Sequence, residues 1–166
     1  MSLDYHIFLG ATVADAAARP LHWVYDPKKL NSYIKNKKDI TFLKKNRCPF
    51  YNIKTGNVSG YNDVGQVMFK SLIEAKNQLE VLKIFKKNIV KNFGPGSKYW
   101  KNLNLRKKYK KIKWTKPMTG PWIHQNIMET IKNIKSKKNI TGGKKVNESD
   151  GFCAVLPYYL YDQKIS

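Results

Sequence analysis

Three short stretches of the chain carry side chains that could do chemistry. Asp15 lies within Gly10-Ala-Thr-Val-Ala-Asp-Ala-Ala-Ala18, an apolar, alanine-rich run. A carboxylate in such a setting must be paired, hydrogen-bonded or bound to a metal. Its small neighbours admit a second backbone or a ligand, and a structural carboxylate tied to a loop backbone is the competing reading. Asp63, in Gly60-Tyr-Asn-Asp-Val-Gly-Gln66, comes just before apolar residues at helical spacing. A negative charge there suits the helix dipole and equally suits a hard cation. Ser149-Asp150-Gly151 opens another helix, where free N–H groups either receive a side-chain cap or hold an anion.

Other chemistry is disfavoured. His6, His22 and His124 do not stand at metal-ligand spacing, and His22 reads as packed or hydrogen-bonded near a helix exit. Cys48 and Cys153 have no histidine at motif spacing, which argues against a cysteine nucleophile. Two cysteines make neither a disulfide framework nor a zinc motif.

The elements that must position these groups read as helices. Tyr5 to Ala18 is apolar nearly all round, the pattern of a buried helix, and Arg19-Pro20 ends it. The stretch from Pro27 to Gly60 reads as irregular. Val67, Met68, Leu72 and Ile73 mark a helix from about Gln66, and Leu82, Phe85, Ile89 and Phe93 mark another, stopped by Gly94-Pro95-Gly96. Ile123, Ile127, Ile131 and Ile134 mark a fourth, opened at Gly120-Pro121 and closed before Gly142-Gly143. Phe152, Val155, Leu156, Tyr159 and Leu160 mark a fifth, with Ser149 or Asp150 as its cap. No convincing alternating strand is found, so the predicted class is all-α. At 166 residues and 42% hydrophobic composition, the chain fits one domain spanning 1–166 with its own core. No apolar run is long enough to span a membrane. The acidic start and Asp15 disfavour a signal peptide, so a cytoplasmic protein is expected.

Thirty-two basic residues against eleven acidic ones give a net charge of +21. Only Arg19, Arg47 and Arg106 are arginines, whereas phosphate-gripping surfaces usually recruit arginine's planar fork. The excess therefore reads as a solvated lysine surface with weak, salt-sensitive polyanion binding. Basic surface loops are expected near 28–47 and 98–116. In the second, Tyr99, Trp100, Tyr109 and Trp114 are interleaved with nine basic residues. Those aromatics either anchor the loop or stack on single-stranded bases.

Several blocks together resemble the J1-crystallin and selenoprotein J branch of the ADP-ribosylglycohydrolase-like family. They are Gly10 to Pro27, Pro49-Phe-Tyr51, Tyr61-Asn-Asp63, Phe93-Gly-Pro-Gly-Ser97, Gly120-Pro-Trp122 and Asp150-Gly151, in family order across nearly the whole chain. The resemblance implies a compact all-α domain of which this chain is the N-terminal portion. For active relatives it implies two magnesium ions, held between acidic side chains, that position the ribose and water for cleavage of an ADP-ribose linkage. It makes Asp63 a metal ligand and catalytic residue, and Asn62 its companion at the metal. Asp15 and the Ser149-Asp150-Gly151 amides become contacts for an ADP-ribose-type ligand.

The departures from the pattern matter. The family's Thr-Asp-Asp-Thr block is Asn62-Asp63-Val64-Gly65 here, and valine cannot ligate magnesium. No downstream Asp-x-Asp cluster follows, so hydrolysis is expected to be weak or lost. The alternatives are a crystallin-like structural or ligand-binding protein without turnover, and a lysine-rich nucleic-acid binder. Exposed apolar surface on the first helix is expected, and with it self-association.

Overall fold

The computed structural model describes residues 3–109, 117–138, 142–143 and 150–162. Seven α-helices lie among them: α1 (Leu3–Ala18), α2 (Pro27–Ile34), α3 (Gly60–Glu74), α4 (Gln78–Phe93), α5 (Lys98–Tyr109), α6 (Gln125–Lys135) and α7 (Asp150–Asp162). The fold is all-α. Its only strands among the described residues are β1 (Tyr51–Asn52) and β2 (Met118–Thr119), paired in parallel with Tyr51 opposite Met118.

Helix α3 is the organising element, with α7 packed along one side and α4 returning along another. Gly65 permits the approach of α7, because a Cβ there would stand 3.1 Å from the Cys153 carbonyl oxygen. Val64, Val67, Met68 and Leu72 of α3 meet Ile89 and Phe93 of α4, Ile127 and Ile131 of α6, and Ala154 of α7 in one core. Each large apolar side chain so buried contributes about 1.5–3 kcal/mol relative to exposure. A buried polar strut joins α3 to α4. Asn88 Nδ2 donates to Ser71 Oγ at 3.0 Å and to Glu74 Oε2 at 2.8 Å.

The helix ends explain where the structure departs from the periodicity. Helix α3 begins at Gly60, not near Gln66, because Ser59 caps it by accepting the Tyr61 N–H at 3.2 Å. Helix α6 begins at Gln125, not Gly120. The β1–β2 pairing holds the chain extended, with Gly120 N–H donating to the Asn52 carbonyl at 2.8 Å, and helical geometry starts only after His124.

Both basic stretches expected as loops contain helices. Asp26 accepts the N–H groups of Lys28 and Lys29, and Pro27 fills the first position of α2. In α5, Tyr99 and Leu103 are buried in the core, and the Ser97 hydroxyl accepts the Trp100 N–H. Tyr99 and Trp100 therefore do anchor this basic segment, but as part of a helix; the Tyr109 side chain and Trp114 lie outside the described residues.

Helix α1 ends at Ala18, as the Arg19-Pro20 pair requires, and passes into a single 3-10 turn, Arg19–Leu21. Arg19 is 2% exposed, and among the described residues no carboxylate pairs with its guanidinium. Its Nε, Nη1 and Nη2 donate to Asn57 O at 3.1 Å, Asn46 Oδ1 at 2.9 Å and Lys54 O at 3.2 Å. Burial pushes its pKa below the ordinary arginine value. One side chain thereby pins the irregular segment 46–57 against the exit of α1.

Candidate functional site

The N-terminal end of α3 is where the separated sequence blocks meet. On one flank, Asp15 reaches across from α1 and accepts both the backbone N–H and the hydroxyl of Ser59, each at 2.6 Å. Ser59 in turn caps α3, so Asp15 fixes the start of that helix at one remove. These are the bonds of a carboxylate tied to a neighbouring backbone.

Asn62 is buried, and its amide is committed on both sides. Nδ2 donates to Thr12 Oγ1 at 3.1 Å, and Oδ1 accepts from Gln66 Nε2 at 2.7 Å. With Asp15, Tyr61 and Cys153 it borders a cavity of about 160 Å³.

Asp63 lies one residue further round the helix and faces a different, larger groove of about 470 Å³. The groove is walled by Phe8, Phe69, Phe93 and Tyr99, with Lys70 and Lys98 also lining it. Phe8 stacks on Phe69 with ring centroids 5.0 Å apart, and it separates this groove from the smaller cavity. The Asp63 carboxylate accepts a short hydrogen bond from the Tyr99 hydroxyl, and Lys98 Nζ stands 3.9 Å away. With the Lys98 side chain 69% exposed, this is a weak ion pair. Burial raises the Asp63 pKa above the ordinary carboxylate value, opposed by the Tyr99 hydrogen bond and the Lys98 charge. Burial and the Asp63 charge raise the Tyr99 pKa well above the ordinary phenol value, so Tyr99 remains a donor.

Asp63 and Asn62 are therefore adjacent in sequence but line different cavities. Val64, where the family pattern has a second carboxylate, is 2% exposed and turned into the core. Among the described residues, no three His, Cys, Asp or Glu side chains converge. The described donors at this end of α3 fall short of the oxygen set that a pair of magnesium ions needs. Ser149 lies outside the described residues. Asp150 and Gly151 form the first turn of α7, and the Asp150 side chain lies outside the described residues. The Cys153 carbonyl approaches Gly65, and Gln78 Nε2 donates to Tyr158 Oη at 3.0 Å. Helix α7 therefore runs in the direction of α3, and its first turn lies toward the Ser59–Asp63 end.

The periodicity gave no hint of the aromatic cluster on the other flank. Trp23 meets Phe50, Tyr51 and Trp122 edge-on at 5.1, 5.9 and 5.3 Å, and Tyr61 stands edge-on to His124 at 4.0 Å. Trp23 is held at φ 61°, a left-handed conformation costing a bulky residue on the order of 1–3 kcal/mol, which the ring contacts offset. His22 Nδ1 shares a 2.7 Å hydrogen bond with Tyr51 Oη. Burial lowers the His22 pKa to about 4, reinforced by the Arg19 charge and opposed by Asp15. The available signal was in the blocks themselves, since His22-Trp23, Phe50-Tyr51, Tyr61 and Trp122 are far apart in sequence and all aromatic.

No family model and no solved structure matches the chain. Two curated proteins of Tripedalia cystophora do. The chain is 31% identical to Crystallin J1B over 149 residues, which is 90% of this chain and 43% of the relative. It is 30% identical to Crystallin J1A over the same length, with the same coverage. The chain thus spans under half the length of the curated relatives it matches. Over nine tenths of its residues the chain is similar to part of the J1 crystallins, and over that stretch it is J1-crystallin-related.

Proposed function

We propose that this chain is a non-hydrolysing J1-crystallin-type protein, a structural helical body whose Asp63 groove still accepts an ADP-ribose-type ligand. The observation that carries the reading is the isolation of Asp63. Its carboxylate is engaged by Tyr99 and Lys98, Asn62 is spent on Thr12 and Gln66, and Val64 fills the core. A magnesium-dependent glycohydrolase needs several oxygen donors converging on one point, because magnesium takes six oxygens in near-octahedral order. This donor set falls short of that, so no step of hydrolysis is assigned to it.

Ligand binding makes smaller demands. The groove offers aromatic walls for a flat base, two lysines for phosphates, and the Asp63 and Thr12 side chains for ribose hydroxyls. The test is release of ADP-ribose from O-acetyl-ADP-ribose or an ADP-ribosylated protein, with and without magnesium, alongside calorimetric titration with ADP-ribose. The expected result is binding that Asp63→Ala weakens and magnesium leaves unchanged, with no turnover. Magnesium-dependent turnover that disappears in Asp63→Ala would overturn the reading.

A further inference from the structure

Helix α1 is apolar on faces that the rest of the described molecule leaves uncovered. Ile7, Leu9 and Val13 are 42%, 43% and 49% exposed, and Gly10, Ala14 and Ala18 lie exposed beside them. Among the described side chains of α1, His6 is the one exposed polar group on this surface. A helix apolar all round belongs in an interior, and a patch this continuous marks an interface. Helix α7, which touches α1, adds Val155 and Tyr159, 54% and 57% exposed and one turn apart.

Gly10 is an independent observation. A Cβ built there meets nothing within 4 Å, and its φ is not in the left-handed region. Nothing within this body requires glycine at that point, although glycine is the poorest helix former after proline. A missing side chain in the middle of an exposed apolar face is what a second helix needs to come close.

More than half the length of each crystallin relative lies outside the matched region. A second copy of this chain is a poor occupant, because each copy carries +21 and the two would repel. We propose that the outer face of α1 is the docking surface for a helical body equivalent to the unmatched region of those crystallins. The surface is continuous through Leu9 with the Asp63 groove, so docking closes that groove on one side. The inference rests on exposure and length, and it holds whether or not the groove binds ADP-ribose.

The experiment uses the 166-residue chain with the unmatched region of Tripedalia cystophora Crystallin J1B, first as a separate polypeptide and then fused in the order the crystallin has. Light scattering after gel filtration should give a 1:1 complex. Amide exchange across residues 6–18 should slow at least tenfold on mixing, and Val13→Asp should abolish both effects. A second readout does not need the separate pieces to associate. Gly10→Leu should leave the melting temperature of the chain alone unchanged or raised, but lower that of the fusion by several degrees. A homodimer that protects α1, no association, or equal effects of Gly10→Leu in both contexts would each overturn the proposal.

Discussion

Acidification should loosen this protein at the aromatic cluster, with His22 as the titrating group. In the folded chain the ring is held neutral down to about pH 4, whereas an unfolded histidine protonates near 6.5. Between those values the unfolded state binds a proton that the native state refuses. Stability must therefore rise with pH across the window and fall on acidification. At about 1.4 kcal/mol per pH unit the full interval is worth about 3 kcal/mol. The ring is only partly screened from water, which reduces this to roughly 2 kcal/mol. For a small domain with a urea dependence of about 2 kcal/mol per molar, the unfolding midpoint should drop by about 1 M between pH 7 and pH 4.

The assay is urea unfolding followed by tryptophan fluorescence, which is apt because Trp23 lies 4.6 Å from the His22 ring. His22→Gln keeps a polar partner for Tyr51 and cannot titrate. Each protein is compared with itself at the two pH values, so an overall loss of stability in the variant does not matter. Carboxylates titrate in both proteins and cancel. Equal midpoint shifts for wild type and His22→Gln, or a His22 ring resonance titrating above pH 6, would refute the assignment.

Asp63 should act with the opposite sign. Its folded pKa is raised by burial, so acidification through that value relieves a buried charge, and Asp63→Asn should gain more stability at pH 7 than at pH 3 in the same urea series. Arg19→Lys replaces three fork-like donations by one ammonium and should cost on the order of 3 kcal/mol, with faster amide exchange in residues 46–57 as the local signature. Asp15→Ala removes two 2.6 Å acceptors from Ser59 and should cost about 2–3 kcal/mol, seen as a lower urea midpoint and fraying of the first turn of α3. Lys44, Lys45 and Lys54 line an open hollow of about 670 Å³. Single-stranded DNA should bind there at 50 mM salt and be lost by about 200 mM, read by fluorescence anisotropy; binding that survives that salt would favour a nucleic-acid role.

Much of the helical framework is legible in the sequence because helices bury one face, and burial leaves a period. The stretches containing α1, α3, α4, α6 and α7 all announce themselves through apolar spacing. Helix α2 is amphipathic but short, and its best signal is the Asp26-Pro27 cap and first position. Helix α5 is hidden by lysine, since its inward residues, Tyr99 and Leu103, are only four apart within a run of cations. The starts of α3 and α6 are set from outside the helices, by Asp15 through Ser59 in one case and by strand pairing in the other. No local pattern can encode a boundary imposed by a residue 44 positions away.

The candidate residues stand out in the sequence, but the directions in which they face do not, for the same reason. Asn62 and Asp63 are neighbours in sequence, yet a helix turns about 100° per residue, which sends them into separate cavities. Asp15 and Asp63 both stand at the start of α3, but Asp15 spends its oxygens on Ser59. What the described residues build around α3 is therefore above all a scaffold. Asp15 sets where the helix begins, the His22–Trp23 cluster buttresses one flank, and Phe93 and Tyr99 wall the groove on the other. Val64 and Gly65 both serve the fold, because valine there fills the core and glycine admits α7. On the reading proposed above, stability and ligation would make opposite demands at these two positions, and in this chain both residues answer to stability.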